Sequence, residues 1–328
     1  MVSSLDPFRP AWWLPGPHAQ TLGARMLRPK SGLAHRRERW TTLDDDFLDL
    51  DFFESPGLRD DVLVILLHGL EGSTGSGYIL EIARRLAGYG ISSVGLNFRS
   101  CSGELNRGRR LYHSGETSDL GWVIDRLLDE EPGRRLAASG VSLGGNVLLK
   151  YLGENGSSAP LVAAAAWSVP FDLAAGARFM EHGFARQYVG RLLRSLKAKV
   201  RVRKEEFGRF LDLERTLRAK TFWEFDDAAT APLHGFAGAD DYYHRSSSAG
   251  FIPKITVPTV IIHSRDDPFL PADAIPEAAM RANPAVTPMI SDRGGHVGFV
   301  AGWSHGRPQF WAEAAIARWL SDRLPQTT

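Results

Sequence analysis

The chain has 328 residues, with 39 Lys and Arg against 38 Asp and Glu, and a formal net charge of +1. A chain of this length can bury a large core without a metal or a disulfide. Its near-zero charge argues against a strongly basic nucleic-acid-binding protein. Its single cysteine, Cys101, cannot form an internal disulfide, which is typical of a reducing compartment.

Targeting and membrane signals are not recognisable in the sequence. Residues 1–7 contain neither a basic segment nor an apolar segment of the kind that a secretory signal needs. No stretch approaches the ~18 consecutive apolar residues of a membrane span. We therefore expect a cytoplasmic protein.

Apolar segments of strand length alternate with helix-like segments along most of the chain. Residues 1–40 are rich in proline and tryptophan, and we expect them to form an irregular lead-in packed on the core. Predicted strands cover 48–54, 62–67, 91–97, 136–139, 161–167, 259–263 and 286–290, and helices are predicted to begin near Tyr78, Thr117, Gly144 and Pro308. This alternation predicts an α/β fold with a mostly parallel sheet covered on both faces.

The predicted strand 62–67 leads into a glycine-rich loop. After such a strand, a backbone N–H can face a developing oxyanion, and Leu70 is the candidate donor. A phosphate-binding loop is the alternative, because Gly72 and Gly77 have the required spacing. Tyr78 stands where that motif has its lysine, and the missing charge disfavours this alternative.

The segment Gly140-Val141-Ser142-Leu143-Gly144 lies between a predicted strand and a predicted helix. G-x-S-x-G in this context is typical of a nucleophile elbow, with Ser142 as nucleophile and the Leu143 N–H as a second oxyanion donor. The motif alone is weak, because a glycine-rich turn before a helix has the same letters.

Two later segments supply an acid and a base in the order expected of α/β-hydrolases. The predicted strand 259–263 runs into Asp266 and Asp267, and His296 stands among glycines after strand 286–290. Histidine can take and return the serine proton near neutral pH, and a carboxylate on its other nitrogen fixes the tautomer. Turn placement favours Asp267 as the acid, and Asp266 is the alternative.

About ninety residues separate the predicted strands 161–167 and 259–263, more than one crossover helix needs. We expect a helical cap over residues 171–250, inserted into a core formed by 41–170 and 251–328. Most cap aromatics should fill the cap's own core, with a minority facing the site. The basic segment 186–204 is either a solvated helix face or, less favoured, a peripheral membrane contact.

The motifs together resemble the YheT-like branch of the α/β-hydrolase superfamily, which includes yeast medium-chain fatty acid ethyl ester synthase/esterases. The matching segments are 17–22 (PHAQTL), 68–73 (HGLEGS), 97–104 (NFRSCSGE), 112–117 (YHSGET), 140–146 (GVSLGGN), 240–243 (DDYY), 263–269 (HSRDDPF) and 294–299 (GGHVGF). One position departs from the family pattern, since Ser100 replaces a glycine in the third segment.

The resemblance implies a serine carboxylic ester hydrolase acting on short- to medium-chain acyl esters, with Ser142, Asp267 and His296 as nucleophile, acid and base. Acyl transfer to an alcohol on the same triad and a non-catalytic ligand-binding scaffold are the alternatives. We expect no cofactor and no metal, because no group of His, Cys and Asp has metal-ligand spacing. The expected partner is a small acyl ester.

Overall fold

The computed structural model describes residues 7–29, 33–54, 57–304 and 306–324. Residues 1–6, on which most of the expectation about a secretory signal rests, lie outside the described residues. The described chain begins with a helix and then alternates strands and helices around a central sheet.

The central sheet contains eight strands in the spatial order β1-β2-β4-β3-β5-β6-β7-β8. They are β1 (Arg36–Thr41), β2 (Phe47–Phe53), β3 (Arg59–Leu67), β4 (Ile91–Asn97), β5 (Arg135–Val141), β6 (Ala163–Trp167), β7 (Thr259–Ser264) and β8 (Val286–Ser291). Strands β1 and β2 pair antiparallel, as do β2 and β4, and all other neighbours are parallel. A separate hairpin joins β9 (Val300–Ser304) and β10 (Arg307–Phe310).

Helices cover both faces of this sheet. They are α1 (Gly16–Leu27), α2 (Gly77–Gly88), α3 (Ser118–Glu130), α4 (Leu143–Asn155), α5 (Leu173–Phe179), α6 (Ala185–Val202), α7 (Lys204–Phe207), α8 (Leu213–Arg218), α9 (Phe222–Phe225), α10 (Ala231–His234), α11 (Ala239–Ser246), α12 (Glu277–Ala282) and α13 (Trp311–Arg323). Within the described ranges, none of these helices combines the length and the apolar character needed to cross a membrane.

Strand β3 shows why the sheet needs cover on both sides. Its side chains point alternately to the two faces. Leu63, Ile65 and Leu67 belong to an apolar cluster with α3, α4 and α12, whereas Val62 and Val64 belong to another with α2 and α13. Because both faces are buried, the strand reads as a continuous apolar run, as is usual in parallel sheets.

The predicted α/β-hydrolase architecture is confirmed, with three corrections in its elements. Residues 1–40 are not irregular throughout, because α1 and most of β1 lie there. The last helix begins at Trp311, since Pro308 belongs to β10. The hairpin of β9 and β10 was not predicted.

Residues 171–250, here called the cap segment, contain α5 to α11. Their apolar side chains form clusters of their own, in which Val189 and Leu193 of α6 pack with Phe207 and Phe225. A second cluster joins α5 and α11. These clusters agree with a cap, although the exact boundaries between cap and core remain a prediction.

Candidate active site

Ser142 lies at the turn between β5 and α4, with φ of +54° and ψ of −120°. A non-glycine residue rarely adopts positive φ, so this backbone is strained. A Cβ on Gly140 would lie 2.3 Å from the Gly144 carbonyl oxygen, and one on Gly144 would lie 2.5 Å from the Leu67 oxygen. Because neither position has room for a side chain, the turn requires both glycines of the G-x-S-x-G motif.

The turn that follows β3, residues 69–72, packs against this serine. A Cβ on Gly69 would lie 3.1 Å from the Ser142 Cβ. Leu70 in this turn and Leu143 at the start of α4 both line the cavity that contains Ser142. Within the described part of the chain, neither the Leu70 N–H nor the Leu143 N–H has an assigned protein acceptor. Both donors are therefore open to a ligand.

His68 fixes the end of β3 just before that turn. Its Nδ1–H donates to the Gly69 carbonyl at 2.8 Å, and its Nε2 accepts the Phe98 N–H at 3.1 Å. Burial lowers the pKa of His68 to about 4. The ring is therefore neutral around pH 7, and its tautomer is set by these two hydrogen bonds.

His296 lies in the loop 294–299, which is held from two other parts of the chain. The His296 N–H donates to the Thr21 hydroxyl at 2.9 Å, and the Val297 N–H donates to the Ser168 hydroxyl at 3.0 Å. Val297 has φ of +53°, an unusual value for a β-branched residue. Such strain persists only where surrounding contacts impose it, and these hydrogen bonds are part of that constraint.

The structure brings the predicted serine, histidine and Asp267 into one hydrogen-bonded chain. Ser142 Oγ lies 2.9 Å from His296 Nε2, and His296 Nδ1 lies 2.8 Å from Asp267 Oδ2 and 3.1 Å from Oδ1. Asp266 has a different partner, because its Oδ1 accepts the Gly295 N–H at 2.8 Å. By geometry, Asp267 rather than Asp266 is the partner of the histidine.

A cavity of about 580 Å³ opens onto Ser142 and His296. Part of its wall comes from α1 and from the turn after β3, and the cap segment contributes a few polar residues and a larger set of apolar side chains. These include Met180, Phe184, Tyr188, Leu192, Leu196, Phe222 and Phe225. Six of the twelve aromatic residues of the cap segment line the cavity, which is half of them rather than the predicted minority.

Several residues that shape the site were not identified from the sequence. Thr21 belongs to the motif 17–22, whose sequence indicates no role for the threonine. His263, at the end of β7, is fully buried, and its Nε2 lies 3.9 Å from Asp267 Oδ2. Burial lowers the pKa of His263 to about 4, so a neutral ring packs behind the carboxylate. Its position directly before the acid turn was the available signal.

A group of side chains that could ligate a metal was also not predicted from the sequence. Ligand atoms of His113, Glu116 and His234 lie within 4.8 Å of one another. Glu116 is paired with Arg110 at 2.7 Å, and His113 Nδ1 accepts the Gly115 N–H at 3.1 Å. That tautomer places a proton on Nε2, which leaves the ring no lone pair for a metal. These contacts tie His113 and Glu116 to residues of the loop before α3.

Comparisons with known proteins agree with this geometry. A family model described as the alpha/beta hydrolase fold matches residues 62–302. The chain is 38% identical to YheT of Escherichia coli K12, over 94% of this chain and 91% of the relative. It is 32% identical to medium-chain fatty acid ethyl ester synthase/esterase 2 of Saccharomyces cerevisiae, over 79% and 62% of the two chains. The esterase Pf2001 of Pyrococcus furiosus superposes with a TM-score of 0.57 at 16% identity, over 98% of each chain, which shows a shared fold.

Proposed function

Because this chain belongs to the α/β-hydrolase family, in its YheT-like branch, we propose that it is a serine carboxylic ester hydrolase acting through an acyl-enzyme intermediate. The observation that carries the proposal is the unbroken hydrogen-bonded chain from Ser142 through His296 to Asp267. A strained serine with a base on its hydroxyl and an acid on that base is the arrangement that nucleophilic ester hydrolysis requires.

In this proposal, Ser142 Oγ attacks the ester carbonyl carbon while His296 Nε2 takes the hydroxyl proton. The negative charge that develops on the carbonyl oxygen is stabilised by the N–H groups of Leu70 and Leu143. The protonated His296 then gives its proton to the departing alcohol oxygen, and the acyl group remains on Ser142. Asp267 accepts the Nδ1–H throughout, which stabilises the imidazolium.

A water molecule completes the reaction when His296 removes its proton and the oxygen attacks the acyl carbon. The bond between the acyl carbon and Ser142 Oγ then breaks, His296 returns its proton to Oγ, and a carboxylic acid is released. An alcohol at the same position would give a new ester, so acyl transfer is the second candidate activity. The similarity to the yeast ethyl ester synthase/esterase favours testing it.

The apolar wall of the cavity supports short- to medium-chain acyl groups as the substrate class. Such pockets bind mainly through apolar surface with few polar anchors. A volume of about 580 Å³ is within the usual range for small-ligand sites, and apolar side chains of α6 and α9 supply part of the wall. The substrate would be held with its acyl chain against the cap segment. A cytoplasmic location and a peripheral membrane contact through α6 stay predictions.

Replacement of the nucleophile tests the proposal. Ser142→Ala should abolish turnover of 4-nitrophenyl butyrate without a change in the thermal unfolding midpoint, because only the hydroxyl is removed. A fluorophosphonate should label the wild type and not the variant. Equal labelling would overturn Ser142 as the nucleophile. A wild type without turnover of any ester from acetate to decanoate would favour the non-catalytic scaffold.

A further inference from the structure

A partly buried ion pair joins the cap segment to the turn that carries Leu70. The carboxylate of Glu71, the next residue, lies 2.6 Å from Lys199 Nζ on α6 and also accepts a hydrogen bond from the Ser195 hydroxyl. Lys199 and Ser195 are four residues apart and therefore lie on the same face of the helix. The side chains of Glu71 and Lys199 are 6% and 15% exposed, so water screens this pair far less than a surface pair.

The backbone of Glu71 is held as well as its side chain. Glu71 occupies the third position of the turn with φ of +53°, a position and conformation usually taken by glycine. The Tyr112 hydroxyl accepts the Glu71 N–H at 2.7 Å and donates to the Glu71 carboxylate at 2.8 Å. Burial keeps the pKa of Tyr112 well above its usual value, so the phenol retains the proton that it donates. Without such contacts a glutamate would leave this conformation.

The N–H groups of Gly69 and Gly72 in the turn also donate hydrogen bonds within the protein. The Gly69 N–H donates to the Tyr78 hydroxyl at 2.9 Å, and the Gly72 N–H donates to the Gly69 carbonyl at 3.0 Å. In the described ranges, the Leu70 N–H is the amide of this turn that has no assigned protein acceptor. The direction of the Leu70 N–H is therefore set by the neighbouring residues of the turn. Gly69 is held by Tyr78, and Glu71 is held by Tyr112 and by Lys199 of the cap segment.

We propose that Lys199 is a positioning residue for oxyanion binding, which holds Glu71 in its strained conformation and thereby aims the Leu70 N–H at the reacting carbonyl oxygen. This inference rests on the proposed function, because it takes Leu70 as an oxyanion donor. It also makes the donor depend on the cap segment. When α6 lies over the site, Lys199 and Ser195 complete the turn, and displacement of α6 would release it.

The expected effect is on the chemical step rather than on substrate binding. Loss of a whole oxyanion donor costs roughly 10²–10³ in kcat, and misdirection of one donor should cost about tenfold. Lys199→Met and Glu71→Gln should each lower kcat by about this factor with little change in KM. The double variant should lose little more than Glu71→Gln alone, since the ion pair between Lys199 and Glu71 is already absent in that variant. Lys199→Arg, which keeps the charge, should recover most of the rate.

Arg194→Met is the matched control, because it removes one exposed cation from the same helix without touching the turn. Each variant is assayed with 4-nitrophenyl butyrate and with a trifluoromethyl ketone, whose adduct with the serine carries an oxyanion. Inhibition constants for the ketone should rise by the factor by which kcat/KM falls. If Lys199→Met does not fold, Lys199→Gln and Ser195→Ala provide the same comparison.

The outcomes separate this inference from the proposed function. An unchanged kcat in Lys199→Met, or a rise in KM alone, overturns the role of Lys199 while wild-type turnover still supports an esterase. An equal loss in Arg194→Met would also overturn it, because the effect would then be one of general charge. A wild type that neither hydrolyses esters nor reacts with a fluorophosphonate overturns both.

Discussion

The imidazole of His296 stacks on the ring of Phe269, with ring centroids 3.9 Å apart and an angle of 2° between the planes. Phe269 also contacts the acid through its backbone, because the Phe269 N–H donates a hydrogen bond to Asp267 Oδ1 at 2.8 Å. One residue therefore orients the base by its ring and the acid by its amide. Substitution of its side chain affects only the first of these contacts.

Phe269→Leu should lower kcat by about tenfold, because an imidazole free to tilt spends less time in line with the serine hydroxyl. The fold should persist, since Phe269 is only partly buried. Phe184→Leu is the control, because Phe184 lines the same cavity but packs at steep angles against His18 and Tyr188 and not on His296. Steady-state kinetics beside thermal unfolding will separate the two variants. Equal losses of kcat would show that cavity shape, and not ring stacking, accounts for the effect.

Asp267→Asn should reduce kcat by about 10⁴, the loss seen when the acid of a serine protease triad is changed in this way. The amide would favour the histidine tautomer that cannot accept the serine proton. Asp266→Asn should cost far less, because Asp266 bonds the Gly295 N–H and supports only the loop. The ranking of kcat for the two variants decides the matter. Reversed ranking would mean that Asp266 is the acid.

The inner strands of the sheet could be predicted because both of their faces are buried and their composition is therefore apolar. Parallel strands buried on both faces are continuous apolar runs, so the predicted bounds of β4 and β7 are right to within one residue, whereas β3 begins three residues earlier, at the polar Arg59. Strand β1 was missed because it is an edge strand, and its sequence Arg36–Thr41 carries charges that pair with β2 rather than apolar residues. Such a pattern is common at edges, where charge discourages aggregation.

The three residues proposed as the triad could be found from motif order, but their supports could not. Thr21 bonds the backbone of His296 across 275 positions of sequence, and Lys199 meets Glu71 across 128. Nothing local marks such partners, because neither threonine in a helix nor lysine in a basic segment is unusual. The positive φ angles of Glu71 and Val297 could not be predicted from the sequence either, because glutamate and valine rarely adopt positive φ.

Asp226 on the cavity wall should make stability depend on pH. Burial raises the pKa of Asp226 from 3.8 to about 6, although the Thr230 and Tyr243 hydroxyls donate to it. A carboxyl with a raised folded-state pKa binds its proton more tightly in the folded chain. Its contribution to stability is therefore complete below about pH 4 and is lost as the pH rises through about 6.

The free energy of unfolding of the wild type should fall by about 2 to 3 kcal/mol relative to Asp226→Asn between pH 4 and pH 7. Urea unfolding at several pH values in this window measures the difference. Asp227→Asn is the neighbouring control, because the Ala239 N–H lowers the pKa of Asp227 and its change should have the opposite sign. Parallel profiles for wild type and Asp226→Asn would contradict the raised pKa.

Substitutions at Leu192 should move the preferred acyl length in opposite directions. Leu192 lies on α6, is partly exposed and lines the cavity. Each methylene that an acyl chain buries contributes about 0.8 kcal/mol until the cavity ends, so kcat/KM should rise with chain length and then fall. Leu192→Trp fills part of the cavity and should shift the optimum to shorter chains. Leu192→Ala enlarges it and should shift the optimum to longer ones.

A series of 4-nitrophenyl esters from acetate to decanoate measures these optima, with Val202→Ala as the control because Val202 is 73% exposed on the same helix. The wild-type maximum should fall among the short to medium chains, and Val202→Ala should leave it in place. Profiles that coincide for both Leu192 variants would mean that the acyl chain leaves the serine in another direction. A flat wild-type profile would remove the acyl pocket altogether, because a chain that gains nothing from added methylenes is not buried against α6.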